Sequence, residues 1–194
     1  MYVGLDISTS CIGASLLDEF GKVIKLDYLE LKEEKSFFKK VDMFSKFLLE
    51  FLNFNSSLDL IQYYKNENYE EIYFYVEEPL QAFKSNASMA QTISLLQRYN
   101  ACCTYVIYQL FMREPILLNA TNARKTLGIS VPRKTANGLK TDTKKFVWDF
   151  IKNKNVIPDF YWQFKKTGNP KNFCYDMCDA YVIAFSGFLK QNGG

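Results

Sequence analysis

The sequence predicts an α/β protein in which a mixed five-stranded sheet is covered by helices. Three strand-like segments joined by short turns open the chain, and strand-like segments alternate with helical ones further on. Such an order is typical of a sheet that combines an antiparallel N-terminal meander with later parallel strands. At 194 residues the chain can bury a sizeable core, and we expect one domain over residues 1–194.

The first half supplies three strands and one helix. Strands are expected at 2–8, 11–17 and 23–31, with a turn at 18–21. Apolar residues at helical spacing over 36–53 predict a helix, for which Ser36 is a suitable cap. The polar, Tyr- and Asn-rich stretch 55–70 is interpreted as a loop with at most one helical turn.

The second half alternates between strands and helices. Aromatic and β-branched residues predict strands at 71–77 and 116–118. Helices are expected at 88–112, 121–127, 141–152 and 173–190. The first ends before Pro115, Gly128 closes the second, and Thr141 caps the third. The segments 129–140 and 158–172 are interpreted as irregular basic stretches.

Composition excludes several kinds of chemistry. The chain has no histidine, which excludes His-based triads, and its five cysteines form no CxxC pair, so a zinc site is not expected. Asp6 interrupts the N-terminal apolar run, and no apolar stretch approaches the ~18 residues of a membrane span. We therefore expect a cytoplasmic protein with reduced, buried thiols and no membrane partner.

The small net charge of +3 hides a strong asymmetry. Residues 1–123 hold 11 basic and 16 acidic residues, whereas residues 124–171 hold 12 basic and 3 acidic ones. A local net charge of +9 is the pattern expected of a surface that contacts a phosphate backbone, although a merely solvated surface is the alternative.

An aspartate interrupts the apolar first strand. Asp is depleted from strands, and a buried carboxylate is costly unless a cation or strong hydrogen-bond donors meet it. Asp6 is therefore either a satisfied structural carboxylate or a ligand. Glu77 lies at the end of the strand predicted at 71–77, and the two carboxylates converge if the two strands are neighbours.

The closing helix carries two further acids, Asp176 and Asp179, at a spacing that places them on one helix face. Alone, this pair also fits an exposed acidic turn that interacts favourably with the helix N-terminus. Together with Asp6 and Glu77, however, it gives four carboxylates on three rigid elements. Such a set of oxygen ligands is what two hard divalent cations require.

In order and spacing, these segments resemble the RuvC family of Holliday junction resolvases, within the RNase H-like fold. The opening GLDISTSCIGASLLDE is similar to that family's first strand and hairpin, FYVEEPL to its second acidic strand, and DMCDAYVIA to its closing helix. NASMAQTISLLQRYNACCTYVI resembles the long central helix, and KTDTKKFVWDFI resembles a lysine-bearing helix. The resemblance covers almost the whole chain.

The resemblance implies a Mg²⁺-dependent endodeoxyribonuclease that hydrolyses phosphodiesters of branched DNA, four-way junctions above all. It implies two ions per active site, for which Mn²⁺ substitutes, and a first aspartate that bridges both. The catalytic and metal-binding acids of the family fall on Asp6, Glu77, Asp176 and Asp179. Its lysine falls on Lys144 as the nearer match, and the adjacent Lys145 is the alternative. Glu78 is then a neighbour that points to the opposite side.

Further residues are candidates for DNA contacts. The segment ARKTLG resembles a stretch that bears another basic residue in the family, and Arg124 and Lys125 fit equally well. In the family, the loop after the acidic strand can bear an aromatic side chain that acts as a wedge at the junction centre. That position falls on Leu80 here, with Phe83 three residues on. The basic block supplies the remaining candidates, which are Arg133, Lys134, Lys140 and Lys145.

Two departures from the family bear on the choice of junction. Ser8 and Thr9 stand where the family often has Pro-Gly, a pattern that resembles phage or viral members. The segments 130–140 and 161–171 are longer than in bacterial members. The expected setting is therefore the cytoplasm of a bacterium or of a virus-infected host cell.

The long helix 88–112 predicts a homodimer. Leu95, Tyr99, Cys102, Val106 and Leu110 form one apolar stripe, which we assign to the dimer surface. A second stripe is assigned to the sheet and consists of Ile93, Leu96, Cys103 and Ile107. The alternative is a helix buried wholly within one subunit.

Other functions remain open at this stage. An actin-like ATPase or sugar-kinase relative has a similar opening, but it needs a second lobe and glycine-rich phosphate loops, and the chain has nine glycines and no such loop. A nuclease-fold protein that only binds branched DNA would have lost an acid, and none is lost. Other RNase H-like nucleases, such as exonucleases and transposase cores, are the remaining alternative.

Overall fold

The structure is a computed structural model that describes residues 1–66, 71–79, 87–135 and 137–193. Its strands are β1 (Tyr2–Ile7), β2 (Cys11–Leu17), β3 (Val23–Glu30), β4 (Tyr73–Glu77) and β5 (Ile116–Leu118). They form one five-stranded sheet in the order β3-β2-β1-β4-β5. β1 to β3 are an antiparallel meander, whereas β4 pairs parallel with both β1 and β5. The predicted mixed sheet is confirmed.

Helices cover both faces of the sheet. The first face carries α1 (Phe37–Phe51), α2 (Ser57–Lys65) and α3 (Ala87–Phe111), and the second carries α4 (Ala120–Thr126), α5 (Thr143–Lys154) and α6 (Asn172–Gln191). A short 3₁₀ helix, Asp159–Tyr161, precedes α6. Because side chains alternate along a strand, Val3 and Leu5 enter the first core while Tyr2 enters the second.

Two glycines bring α6 directly onto the sheet. A Cβ atom at Gly4 of β1 would overlap the backbone of α6 at Ala180 and Ala184, and one at Gly13 of β2 would overlap the backbone at Asp176. Only a residue without a side chain fits beneath the helix at these points. The close approach places the first two turns of α6 over the carboxyl end of β1.

The stretch 55–70, interpreted as a loop, was predicted wrongly. Its described part contains α2, nine residues long, whose first turn is capped by the Ser56 side chain accepting from the Asp59 amide. Leu60 is buried against the first core, and Tyr63 and Tyr64 pack beside it. Tertiary burial of these side chains therefore outweighs the polar composition of the segment.

The helix predicted at 141–152 begins two residues later. Asp142, not Thr141, is the cap, because its carboxylate accepts from the Lys145 amide. Thr141 instead donates its amide to the Arg133 carbonyl and belongs to a basic hairpin in which Lys134 and Lys140 are bridge partners. The shift places Lys144 in the first turn of α5.

The predicted faces of the long helix are partly wrong, because Val106 and Leu110, which were assigned to the dimer surface, pack against the first core. Tyr99, assigned to the dimer surface, is fully buried and donates its hydroxyl to the Lys40 carbonyl. Cys103 and Ile107 are buried against the sheet, as expected. The apolar side chains that α3 exposes include Leu95, Tyr105 and Tyr108. In the described ranges, no helix has the length and apolarity needed to cross a membrane.

Candidate active site

The register of the sheet places Asp6 beside Glu77. Leu5 of β1 lies opposite Val76 of β4, so Asp6 and Glu77 are the next residues on two parallel neighbours. Both lie at the carboxyl ends of their strands, and their carboxyl groups are close enough for each to affect the other's pKa. The buried amide of Asn100 on α3 donates to the Glu77 carbonyl at 3.3 Å and fixes the end of β4.

Helix α6 brings the other two acids to the same place. Asp176 lies where α6 crosses Gly13, and Asp179 lies one turn further along the helix. The side chain of Asp179 is only 5% exposed, and that of Asp176 is 16% exposed. The four carboxylates therefore come from β1, β4 and α6 and meet over one end of the sheet.

The ammonium group of Lys144 lies among these acids. Its Nζ atom is 2.5 Å from Asp176 Oδ1, 3.5 Å from Asp6 Oδ2 and 3.6 Å from Asp179 Oδ2. The lysine side chain remains half-exposed, so its charge is close both to the buried acids and to solvent. Lys144 is thus the lysine of the cluster, while Lys145 pairs with Asp149 at 3.2 Å.

Arg124 also belongs to the cluster. Its guanidinium, mostly buried, donates to Asp179 Oδ1 at 3.3 Å. Arg124 was predicted to contact DNA, and its contact with the candidate ligand Asp179 was not predicted. The signal that could have found it is the position of ARKTLG directly after β5, which brings α4 against α6 beside the ends of the parallel strands.

The cluster carries more negative charge than its two cations offset. Burial raises the pKa of Asp6 well above its ordinary value, and the charge of Glu77 raises it further despite Lys144. Burial likewise raises the pKa of Glu77 and that of Asp179, where Lys144 and Arg124 oppose the effect. The positive charges of Lys144 and Arg124 therefore do not fully offset the burial and mutual repulsion of the Asp6, Glu77 and Asp179 carboxylates.

This donor set fits hard divalent cations. Carboxylate oxygens are the ligands that Mg²⁺ and Mn²⁺ prefer, and additional positive charge would relieve the excess around Asp6, Glu77 and Asp179. In the part of the chain that the structure describes, however, no three acidic or thiol side chains are arranged as a ready metal site. Asp6, Asp176 and Asp179 instead surround the Lys144 ammonium.

The hairpin between β1 and β2 stabilises the cluster but contributes no catalytic group. The Ser8 hydroxyl donates to the Cys11 carbonyl at 2.7 Å and accepts from the Cys11 amide at 3.1 Å, which holds the turn after Asp6. Burial, together with the nearby carboxylate of Asp176, raises the pKa of the Cys11 thiol. Such a shift disfavours the thiolate, so Cys11 is not a candidate nucleophile.

A basic groove lies beside the cluster. It has a volume of about 480 Å³, and its lining residues from α4, the following hairpin and the start of α5 include Arg124, Lys125, Arg133 and Lys140. Four predicted DNA contacts are thus brought to one surface, which we call the basic groove. Lys134 is exposed on the same hairpin, whereas Leu80 and Phe83 lie outside the described residues.

No family model matches this chain, and no curated protein matches it. Among solved structures, the Thermus thermophilus RuvC structure is similar with a TM-score of 0.51 and 12% sequence identity, covering 98% of this chain and 95% of that chain. T. thermophilus RuvC in complex with a Holliday junction substrate gives a TM-score of 0.49 and 11% identity, covering 98% and 94%. The chain therefore has a RuvC-like fold of the RNase H-like type, with a mixed five-stranded sheet flanked by helices.

Proposed function

We propose that this chain is a structure-selective endodeoxyribonuclease that resolves branched DNA, four-way junctions above all, by divalent-metal-dependent hydrolysis. One observation carries the proposal. Asp6, Glu77, Asp176 and Asp179 converge from three elements around Lys144, directly beside a basic groove. The RuvC-like fold and the sequence resemblance support the same assignment, with residues 1–194 acting as one nuclease domain.

The residues that would hold the metal are the four acids, which we propose bind two Mg²⁺ ions, with Mn²⁺ as a substitute. When bound, such ions would supply a water activated as the nucleophile and would stabilise the leaving oxygen. The protein's own part is to supply a largely buried set of oxygen ligands, held by β1, β4 and the closely packed α6.

Lys144 is proposed to act on the phosphate. Partial burial lowers the pKa of Lys144, but the charges of Asp6, Asp176 and Asp179 outweigh that effect and raise it. The side chain therefore stays protonated at neutral pH while half of it faces solvent. A cation in that position can neutralise charge that develops on the phosphate in the transition state.

The basic groove is proposed to guide the DNA backbone to the acids. Arg133, Lys134, Lys140 and Lys125 supply its positive charge, whereas Arg124 is shared between the groove and Asp179. We assign Lys145 to the margin of this surface, because its ammonium is paired with Asp149. Leu80 and Phe83 remain proposed contacts at the junction centre.

Cleavage of a panel of labelled substrates tests the proposal. Four-way, three-way, flap and linear duplex DNA of equal length should be incubated with Mg²⁺, with Mn²⁺ and with EDTA. We expect metal-dependent nicks near the branch of the four-way junction and at least about tenfold slower cleavage of linear duplex, a difference of about 1.4 kcal/mol in activation free energy. Equal cleavage of all shapes would favour another RNase H-like nuclease, and binding without cleavage would favour a pure binding protein.

The chain is also proposed to act as a homodimer. Two matched nicks on a roughly two-fold symmetric junction call for two identical sites. The exposed face of α3 with β5 is the surface we assign, since Tyr105, Tyr108 and Leu117 line it together and are between 42% and 61% exposed. This face replaces the predicted stripe that included the buried Tyr99.

Analytical ultracentrifugation at micromolar concentration measures the oligomeric state. We expect a mass of about twice 22.6 kDa for the wild type. Tyr105→Glu combined with Leu117→Glu places charge on the proposed interface and should give a monomer, while Phe20→Glu, at an exposed turn residue, should not. A wild-type monomer both free and on DNA would contradict the paired-nick mechanism.

We further propose that the protein works in the cytoplasm of a bacterium or of a virus-infected host cell, as a phage or viral member of the family. The sequence support is the Ser8-Thr9 turn, in place of Pro-Gly. All five cysteines are unpaired and four of them are buried, which is typical of proteins in a reducing compartment.

A further inference from the structure

A second pocket opens onto the acid cluster and is distinct from the basic groove. It has a volume of about 630 Å³, within the usual range of about 300–1,000 Å³ for ligand sites. Lys144 and Asp176 of the acid cluster are among its lining residues, and the part lined by Tyr28, Phe173, Lys165 and Lys171 is called its outer part here. We call it the lysine–aromatic pocket. Lys165 and Lys171 were not among the predicted DNA contacts.

Aromatic rings form one wall of this pocket. Tyr28 of β3 and Phe173 of α6 are stacked face to face, with ring centroids 3.7 Å apart and an interplanar angle of 2°. Both rings are only partly buried. A partly exposed aromatic stack is the kind of surface on which an unpaired base stacks.

The two outer lysines are held in place but keep their charge. Lys165 donates to the Asn172 side-chain oxygen at 2.8 Å, and Lys171 donates to the Gln163 side-chain oxygen at 2.9 Å. Both acceptors are neutral, and within the described residues neither lysine is paired with a carboxylate. Their positive charge is therefore available to an anionic ligand.

The segment that carries the lysines is an ordered hairpin. Phe164 and Pro170 are bridge partners, the Lys165 amide donates to the Asn169 carbonyl at 2.7 Å, and the Lys171 amide donates to the Gln163 carbonyl at 2.8 Å. Gly168 adopts the positive φ of +79° that the turn requires. The lysines are thus presented from a preorganised backbone.

The acids that line the pocket outside the cluster are already engaged. Glu30 lies 3.7 Å from Lys32, and Asp142 accepts the Lys145 amide as the cap of α5. The outer pocket therefore offers aromatic surface and unneutralised cations, the combination that binds single-stranded nucleic acid.

We propose that the lysine–aromatic pocket binds an unpaired nucleotide of the DNA strand near the branch, with its base on the Tyr28–Phe173 stack and its flanking phosphates on Lys165 and Lys171. The inference rests on the proposed nuclease function and deepens it. It specifies that the strand reaching the acid cluster contains an unpaired nucleotide near the branch. A nucleotide becomes unpaired there when a base pair next to the branch opens, whereas the interior of an intact duplex keeps its bases paired.

The test measures DNA binding in the full-length Asp6→Asn protein, so that no strand is cut. Four-way junctions carrying one abasic nucleotide at successive positions around the branch point serve as probes. We expect one position at which loss of the base weakens binding about tenfold, because stacking on an aromatic side chain contributes of that order. When Phe173→Leu is added to Asp6→Asn, the stack is lost, so removing the base at that position should no longer matter. The junction with the abasic nucleotide and the intact junction should then bind this double variant with affinities within about twofold of each other.

A second experiment changes the charge of the two lysines instead of the aromatic stack. Its result therefore does not depend on how Phe173→Leu affects folding. Lys165→Glu combined with Lys171→Glu should lower junction affinity at least about tenfold, whereas an equal change of charge in Lys166→Glu combined with Lys190→Glu should lower it less than about threefold. This pair is the matched control, because Lys166 is exposed on the same hairpin but does not line the pocket, and Lys190 is exposed near the end of α6.

The outcomes separate this inference from the proposed function. Equal effects of the Lys165/Lys171 pair and of the Lys166/Lys190 pair, or an abasic effect that persists unchanged with Phe173→Leu, would overturn the pocket assignment even if the wild type cleaves junctions. A wild type that never cleaves DNA would overturn the nuclease, while the position-specific base effect in the binding measurement would still support a nucleotide pocket.

Discussion

Asp6→Asn is expected to reduce cleavage of a four-way junction by at least about a thousandfold, a loss of about 4 kcal/mol of transition-state stabilisation. Asp6 lies at the centre of the acid cluster, close to Glu77 and 3.5 Å from the Lys144 ammonium. The substitution keeps the shape of the side chain but removes the charge that a divalent ion requires. Single-turnover cleavage with saturating Mg²⁺ is the measurement.

The same variant should still bind junction DNA at least as tightly as the wild type, because the basic groove is unchanged and one negative charge near the phosphates is gone. Asp149→Asn is a matched control, since its carboxylate pairs with Lys145 outside the cluster. Cleavage by Asp6→Asn within tenfold of the wild-type rate would contradict the active-site assignment.

Stability of the metal-free protein supplies a second readout for this variant. A carboxyl whose pKa is raised by folding binds its proton more tightly in the folded state, so its contribution to stability is lost as the pH rises through the raised pKa. Burial and the charge of Glu77 raise the pKa of Asp6 above its ordinary 3.8. Asp6→Asn should therefore unfold at an equal or higher temperature at neutral pH in EDTA.

Charge reversal in the basic groove is expected to give the second large effect. Arg133→Glu combined with Lys134→Glu should weaken binding to four-way, three-way and linear DNA alike, by about tenfold or more near physiological salt. The slope of log affinity against log salt should fall by about 2, because each lost phosphate contact removes about one unit. Fluorescence anisotropy over a salt series measures both quantities.

The control places the same change in charge at the opposite end of the sheet. Lys22 lies in the turn before β3 and Lys190 near the end of α6, both exposed and remote from Asp6. Lys22→Glu combined with Lys190→Glu should change affinity less than about threefold. An affinity that does not respond to salt would contradict a backbone contact and favour a small-molecule function.

Much of the fold was predictable because its signals are local. Alternating and apolar segments predicted β1 to β5, and Ser36 was correctly identified as the cap of α1. The stretch 55–70 was predicted wrongly, since burial of Leu60 under the first core is a tertiary effect that its polar composition does not show.

The candidate site was predictable as a set of residues but not as an arrangement. Asp6 and Glu77 stand out in the sequence because acids are unusual in or at the end of an apolar strand. Asp176 and Asp179 stand out because their spacing puts both carboxylates on one face of the closing helix. The backbone contacts of Gly4 and Gly13 with α6, and the contact between Arg124 and Asp179, depend on how distant elements pack. Tyr99 was assigned to the wrong face of α3, since helical spacing alone did not identify the stripe that faces the sheet.

An anomalous difference map from crystals of the wild-type protein soaked in Mn²⁺ tests the central claim most directly. The proposed function predicts anomalous peaks among the carboxylates of Asp6, Glu77, Asp176 and Asp179, with the Lys144 ammonium moved away from Asp6. Crystals of Asp6→Asn soaked in parallel should show weak peaks or none. A preparation that cleaves junctions with Mn²⁺, yet shows no ion bound to Asp6 at saturating Mn²⁺, would contradict the assignment of this cluster as the metal-dependent active site.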